Sequence, residues 1–256
     1  MNKMPVLFVG HGSPMNAIED NQFTKEWIEI SKKIPMPKAI LVISAHWYTN
    51  GTKINDSDKP EMIYDMYGFP DELYEVKHPV LGSPDLAHKV IKLLGDKVSI
   101  DNTWGYDHGA WSVLYQMYPD ASIPVVQLSI DYNLKPTDYL EIGKKLSSLR
   151  NDGVLIMGSG NVVHNLSLLD WHKVGGFPWA EDFDEYIKDK IKSKDFIGVT
   201  NYKDIDSSKY AFFTPEHFYP ILYVLGAVDK EDIVEIYNDD LLMGSLSMTS
   251  YLFNKK

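Results

Sequence analysis

The sequence predicts an α/β fold, with a central, mostly parallel sheet flanked by helices and an active site at the carboxyl ends of its strands. Short apolar runs rich in β-branched residues alternate with segments of helical periodicity, which is typical of parallel sheets. These runs are apolar throughout, as in strands that are buried on both faces. No internal repeat or Gly/Ser linker divides the 256 residues, so we expect a single domain over residues 1–256.

Four apolar runs are the predicted strands of this sheet, and most of them run into Gly, Ser or His. They cover residues 5–9, 39–43, 123–130 and 153–157. Helical spacing of apolar residues predicts helices over residues 21–34, 137–149 and 179–191. A last helix is predicted to open at Thr214-Pro215-Glu216, with Thr214 as N-cap and Pro215 at the first helical position. Residues 48–84 are rich in Asp, Pro, Gly and Tyr, and we expect a functional loop there, such as a lid.

Composition excludes several classes of function. The net charge is −11 and no Lys/Arg run stands out, which argues against nucleic acid and against an anionic membrane surface as partners. The chain has no cysteine, so disulfides, thiolate metal sites and cysteine nucleophiles are excluded. Without a signal peptide or an apolar stretch of membrane-spanning length, a cytoplasmic protein is expected. Nothing in the sequence indicates an oligomeric state.

Three histidines, His11, His46 and His164, come directly after or close behind three of the predicted strands. Ligands of open α/β sheets bind outside the carboxyl ends of the strands, so the fold would bring these side chains together. His217, in the first turn of the last predicted helix, adds a fourth. Any one of them alone is equally well explained as a structural histidine, but their correlated placement favours a site for a divalent metal. Because successive helical residues point about 100° apart, we favour His217 as a ligand and Glu216 as a supporting or capping group.

His108 lies in a glycine- and aromatic-rich stretch, residues 104–111. A neutral imidazole there can transfer a proton near pH 7. The alternative is a loop histidine hydrogen-bonded to Asp107. The aromatic residues around the histidines predict either the wall of a pocket for a planar aromatic ligand or ordinary core. No role is assigned to His78 and His172, expected in loops, or to His88, expected on a helix surface.

Six motifs together resemble the class III extradiol ring-cleavage dioxygenases, in the branch that contains DOPA 4,5-dioxygenase. They run in the expected order from about residue 5 to residue 226. The motifs are Gly10-His11-Gly12-Ser13-Pro14, Ser44-Ala45-His46-Trp47, Tyr67-Gly68-Phe69-Pro70, Asp107-His108-Gly109-Ala110-Trp111, Gly158-Ser159-Gly160-Asn161 with Val163-His164-Asn165, and Pro215-Glu216-His217-Phe218.

The resemblance implies a non-haem metal that chelates a catechol and lets O2 cleave the ring. Metal positions of the family carry over to His11, His46, His164 and His217, and an acid/base position to His108. In more distant members the histidine matching His164 is the acid/base and a Glu completes the metal set, so both assignments stay open. Ring cleavage is expected to need Fe(II), whereas the isolated protein is expected to hold zinc, which has no redox chemistry.

One departure and three alternatives accompany this resemblance. Many relatives have His-Pro where this chain has Phe212-Phe213, which affects the substrate pocket but not the metal set. The same histidines would also serve a zinc hydrolase. A non-catalytic binding protein on the same scaffold is the second alternative. A chelatase-like protein is the third, since a strand followed by Gly-His-Gly-Ser occurs in such enzymes, but it explains only His11.

Overall fold

An eight-stranded sheet with helices on both faces forms the centre of the computed structural model, which describes residues 3–255. In chain order the elements are β1 (Val6–Gly10), α1 (Gln22–Lys33), β2 (Ala39–Thr49), β3 (Thr52–Ile54), α2 (Asp71–Tyr74), α3 (Pro84–Leu94), β4 (Val98–Ile100), α4 (His108–Met117), β5 (Val125–Asp131), α5 (Pro136–Leu146), β6 (Val154–Gly160), α6 (Pro178–Lys192), α7 (Phe196–Thr200), α8 (Ser208–Ala211), α9 (Tyr219–Ala227), β7 (Asp232–Tyr237), β8 (Leu241–Leu242), β9 (Leu246–Ser247) and β10 (Ser250–Lys255).

The sheet has the strand order β4-β3-β5-β2-β6-β1-β10-β7, and β8 pairs with β9 in a separate small sheet. The four middle strands β5, β2, β6 and β1 are parallel to one another and are the four apolar runs of the sequence. β10 pairs antiparallel with both β1 and β7, and β3 pairs antiparallel with β5. The predicted α/β fold with a mostly parallel sheet is therefore confirmed.

Both faces of the sheet are buried, which explains why the middle strands are apolar throughout. Along β1, Val6 and Phe8 pack into the core on the side of α5, α6 and α9, because alternate residues of a strand point to opposite faces. Leu7 and Val9 pack on the other side with Trp27 of α1, next to α4. Each of these side chains is essentially inaccessible to solvent. At about 25 cal/mol per Å² of apolar surface, such burial is the main favourable term in folding.

The crossing of α5 and α9 depends on two glycines. A Cβ on Gly143 would collide with the Tyr223 carbonyl oxygen, and a Cβ on Gly226 with that of Leu140. The two helix backbones therefore approach more closely than larger residues would allow. This contact fixes α9 against α5, and the turn that precedes α9 carries His217.

Three predicted helices are confirmed as α1, α5 and α6, but three other local predictions were wrong. His46 lies inside β2 instead of past its end, because the strand continues to Thr49 after a register shift between Ile43 and Tyr48. The predicted loop over residues 48–84 contains β3 and α2. β3 has three residues, too few to show a period in the sequence.

The third error concerns the start of the last helix. Pro215–His217 forms a 3-10 turn, and α9 begins only at Tyr219, with a proline in its own first turn. The Thr214 side chain makes no capping hydrogen bond. His217 is therefore presented from a tight turn beside the end of β6. Among residues 3–255, no helix is long and apolar enough to cross a membrane.

Candidate metal centre

Three histidines converge at the carboxyl edge of the middle strands. His11 directly follows β1, His46 lies in the irregular last part of β2, and His217 comes from the turn before α9. One ring nitrogen of each lies within 4.8 Å of one ring nitrogen of the other two. The Nε2 atoms of His11 and His46 are 3.2 Å apart. The fold thus gathers three imidazole donors around one point.

The other ring nitrogen of each of these histidines faces an oxygen of a neighbouring side chain. The contacts are His11 Nδ1 with Ser159 Oγ at 2.9 Å, His46 Nδ1 with Asp65 Oδ2 at 3.4 Å, and His217 Nδ1 with Glu216 Oε1 at 3.0 Å. Such outer contacts fix ring orientation and tautomer in metal sites. All three Nε2 atoms are therefore left to face the shared centre.

A divalent metal fits these residues. The Nε2 atom of His217 is buried and has no hydrogen-bond partner among the described residues, a costly state that a bound cation would relieve. Burial lowers the pKa of His11 and His217 well below 6.5, and it lowers the pKa of His46 to about 3. The imidazoles are neutral at pH 7 and keep the lone pairs that a metal needs. Three such nitrogen donors suit a non-haem transition metal.

Acid is expected to destabilise the metal-free protein through these histidines. Burial lowers the pKa of His46 from 6.5 to about 3, so between these values the unfolded chain binds more protons than the folded chain. The free energy of unfolding therefore falls as the pH falls through this window. In the His46→Gln variant, whose side chain does not titrate, the free energy of unfolding should fall less steeply. The difference in slope is about 1.4 kcal/mol per pH unit between pH 6 and 4. Urea unfolding at several pH values measures both slopes, and equal slopes would contradict the prediction.

His164 lies beside the three converging histidines, packed against one of them. Its ring is stacked on that of His217, with centroids 3.5 Å apart and an angle of 5° between the planes. Possible ligand atoms of His164, Glu216 and His217 lie within 4.8 Å of one another. His11 and His46 form such a cluster with His217 but not with His164. Burial lowers the pKa of His164 to about 4, so this imidazole is neutral at pH 7 as well.

His108 is the first residue of α4, so its expected place in a loop was wrong. Asp107, the alternative partner, instead caps the helix by accepting the backbone N–H of Ala110 at 3.2 Å. His108 contacts Asp65, with Nδ1 3.0 Å from Oδ1, and its backbone N–H donates to the same oxygen at 2.8 Å. Its ring centroid is 3.9 Å from that of His46. The structure thus places His108 at the edge of the centre.

The histidines without an assigned role lie away from the centre. His78 is buried in a loop and hydrogen-bonds the Tyr106 hydroxyl and the Tyr118 carbonyl. His88 is exposed on α3, as expected, and His172 lies in an exposed turn. Of the aromatic residues near the histidines in sequence, Tyr106, Trp111 and Phe218 are buried in the core.

Two supporting residues were not identified from the sequence. Asp65 lies in the segment between β3 and α2, and its only signal is that it precedes the Tyr67-Gly68-Phe69-Pro70 motif by two residues. Ser159 lies near the end of β6, in the motif Gly158-Ser159-Gly160-Asn161, and its hydroxyl had no predicted partner. A cavity of about 360 Å³ beside β4 and α5 is lined by residues such as Leu94, Asp138 and Lys145, and no histidine lines it.

Comparison with known proteins yields relatives over nearly the whole chain. The profile of the family described as the catalytic LigB subunit of aromatic ring-opening dioxygenase matches residues 5–254. A protein named 4,5-DOPA dioxygenase extradiol from Escherichia coli K12 is 45% identical, over 97% of this chain and 94% of its own. A protein of the same name from Beta vulgaris is 38% identical, over 98% and 97%. The crystal structure of an uncharacterized Escherichia coli K12 protein superimposes with a TM-score of 0.86 at 41% identity, covering 98% of this chain and 99% of that chain.

Proposed function

The chain belongs to the family of the catalytic LigB subunit of aromatic ring-opening dioxygenases, and from this premise we propose that it cleaves the ring of a DOPA-like catechol with O2 at a non-haem metal held by His11, His46 and His217. The observation that carries the ligand set is the convergence of three neutral imidazoles, one of which has a buried nitrogen without a partner. The names of the relatives support the substrate class. Their matches span almost the full chain.

We propose Fe(II) as the metal of turnover and zinc as the metal that the isolated protein carries. When bound, the metal lowers the pKa of the catechol oxygens, and Fe(II) adds the redox chemistry that zinc lacks. Zinc stands above iron in the general affinity order, and an imidazole site suits both ions. Zinc in a purified sample is therefore compatible with this function.

His164 and His108 are the proposed proton-transfer groups. The pKa of about 4 leaves the His164 imidazole neutral at pH 7, able to accept a catechol proton and later return it. The two residues lie beside different ligands, His164 against His217 and His108 against His46. A substrate bound at the centre would therefore have an imidazole on each of two sides. Glu216 supports His217 from its Nδ1 side and is not part of the proposed ligand set.

The test is anaerobic loading of metal-free protein with one equivalent of Fe(II), followed by L-DOPA and an oxygen electrode. We expect one O2 consumed per catechol and a yellow product in the visible spectrum. The matched control is the same protein loaded with zinc, for which no uptake is expected because zinc cannot take part in redox steps. Fe(II) bound at one equivalent without oxygen uptake on any of a panel of catechols would contradict the proposal. Ester hydrolysis by the zinc form without O2 would instead favour a zinc hydrolase.

A further inference from the structure

Asp65 is a nearly buried carboxylate that contacts two histidines of the centre at once. Its side chain is 11% exposed, with Oδ2 at 3.4 Å from His46 Nδ1 and Oδ1 at 3.0 Å from His108 Nδ1. The backbone N–H of His108 donates to Oδ1 at 2.8 Å. The segment that carries Asp65 is itself held in place, since Trp111 Nε1 donates to the Ile63 carbonyl at 2.9 Å. The position of the carboxylate is thus fixed from two directions.

This arrangement favours one of the two ring nitrogens of His46 as the site of its proton. A carboxylate offers lone pairs and no donor, so at 3.4 Å it favours a protonated His46 nitrogen on its side over an unprotonated one. A neutral imidazole has a single N–H, and that N–H is then at Nδ1. Nε2, which lies 3.2 Å from His11 Nε2, keeps the lone pair. Only this tautomer can ligate a metal at the shared centre.

We propose that Asp65 is a positioning residue that locks His46 in its metal-binding tautomer, and that His108 in turn holds Asp65 in the orientation this requires. The inference rests on the proposed function only in taking His46 as a metal ligand. Asp65 touches neither the metal position nor the substrate in this scheme. Asp65 contacts both a proposed ligand, His46, and a proposed proton-transfer group, His108. In other metal sites, residues that contact a ligand in this way affect metal affinity.

The isosteric change Asp65→Asn separates this role from a structural one. The His108 backbone N–H is a donor that cannot change, so it keeps the amide oxygen of the new side chain on its side. The amide NH2 then faces His46 Nδ1 and donates to it. His46 must move its proton to Nε2, where it blocks the metal. Asp65→Ala removes the same charge but leaves His46 free to adopt either tautomer.

The experiment measures zinc affinity of the metal-free variants by competition with a chelator. For Asp65→Asn we expect binding about 10- to 100-fold weaker than wild type, and weaker than for Asp65→Ala. The matched control is Asp58→Asn, the same change at an exposed position of the same segment, which should bind like wild type. In ¹⁵N-histidine NMR of the metal-free proteins, His46 should show Nδ1–H in wild type and Nε2–H in Asp65→Asn. His46→Gln identifies its signals.

Two results would overturn the proposal. If Asp65→Asn binds zinc as tightly as the wild type does, a carboxylate facing His46 Nδ1 is not needed. If the Asn and Ala variants lose the same zinc affinity and His46 stays protonated at Nδ1, removal of the negative charge alone explains the loss. Thermal unfolding of each variant verifies that it is folded. Neither readout uses a substrate, so failure of catechol cleavage leaves this inference standing, whereas wild-type protein that binds no metal would contradict the proposed function itself.

Discussion

Replacement of His217 by alanine is expected to remove the metal and, with it, oxygen uptake. Its Nε2 is buried without a partner, and it supplies one of three nitrogens at the centre. Loss of a direct ligand should cost more than the roughly 100-fold in affinity or activity that loss of an outer contact costs. Metal content after dialysis and the initial rate of oxygen uptake with Fe(II) and L-DOPA measure both effects.

The matched control for this variant is His88→Ala. The His88 side chain is 60% exposed on α3, outside the converging histidines, so metal content and rate should stay at wild-type values. His217→Gln serves as a second variant that preserves more of the packing against His164. If either His217 variant retains one equivalent of metal and normal turnover, the proposed ligand set is wrong.

The second large effect is expected for His164→Gln, and it differs in kind. The ring of His164 is stacked on that of His217. Its possible ligand atom clusters with those of Glu216 and His217, and not with those of His11 and His46. We therefore expect one equivalent of bound metal and a kcat lowered about 10²- to 10⁴-fold, as for loss of a general acid or base. Metal analysis and steady-state oxygen uptake on the same sample separate the two roles. Loss of metal as complete as in His217→Ala would make His164 the fourth ligand, which is the alternative that the family resemblance also allows.

The central part of the fold could be predicted because burial on both faces imposes an all-apolar composition on β1, β2, β5 and β6. The edges could not be predicted in the same way. β3 and β4 have three residues each, and β7 is only partly buried along most of its length, so none of them has to be apolar throughout. Sheet edges are decided by pairing across long distances in sequence, which local patterns do not record.

Two of the proposed ligands could be identified because β1 and β2 run parallel on either side of β6, which places His11 and the last part of β2 at the same edge of the sheet. Their supporting contacts could not. Asp65 reaches His46 from an irregular segment, and only the path of that segment decides which side chain meets Nδ1. The stacking of His164 on His217 likewise depends on ring orientation. The opening of the last helix was mispredicted because Thr214-Pro215-Glu216 is as compatible with a 3-10 turn as with an α-helical start.

The position of β1 inside the sheet has a consequence for how the protein is made. β1 lies between β6 and β10, and the Gly10 backbone N–H donates to the hydroxyl of Ser250, 240 residues further along the chain. β1, which leads into His11, is thus completed on one side by a strand that is synthesised much later than β1 itself. Contacts so distant in sequence form late, because a long loop must close before they add stability. β1 and the turn at His11 are therefore expected to become fully ordered late in folding, once β10 has paired with β1.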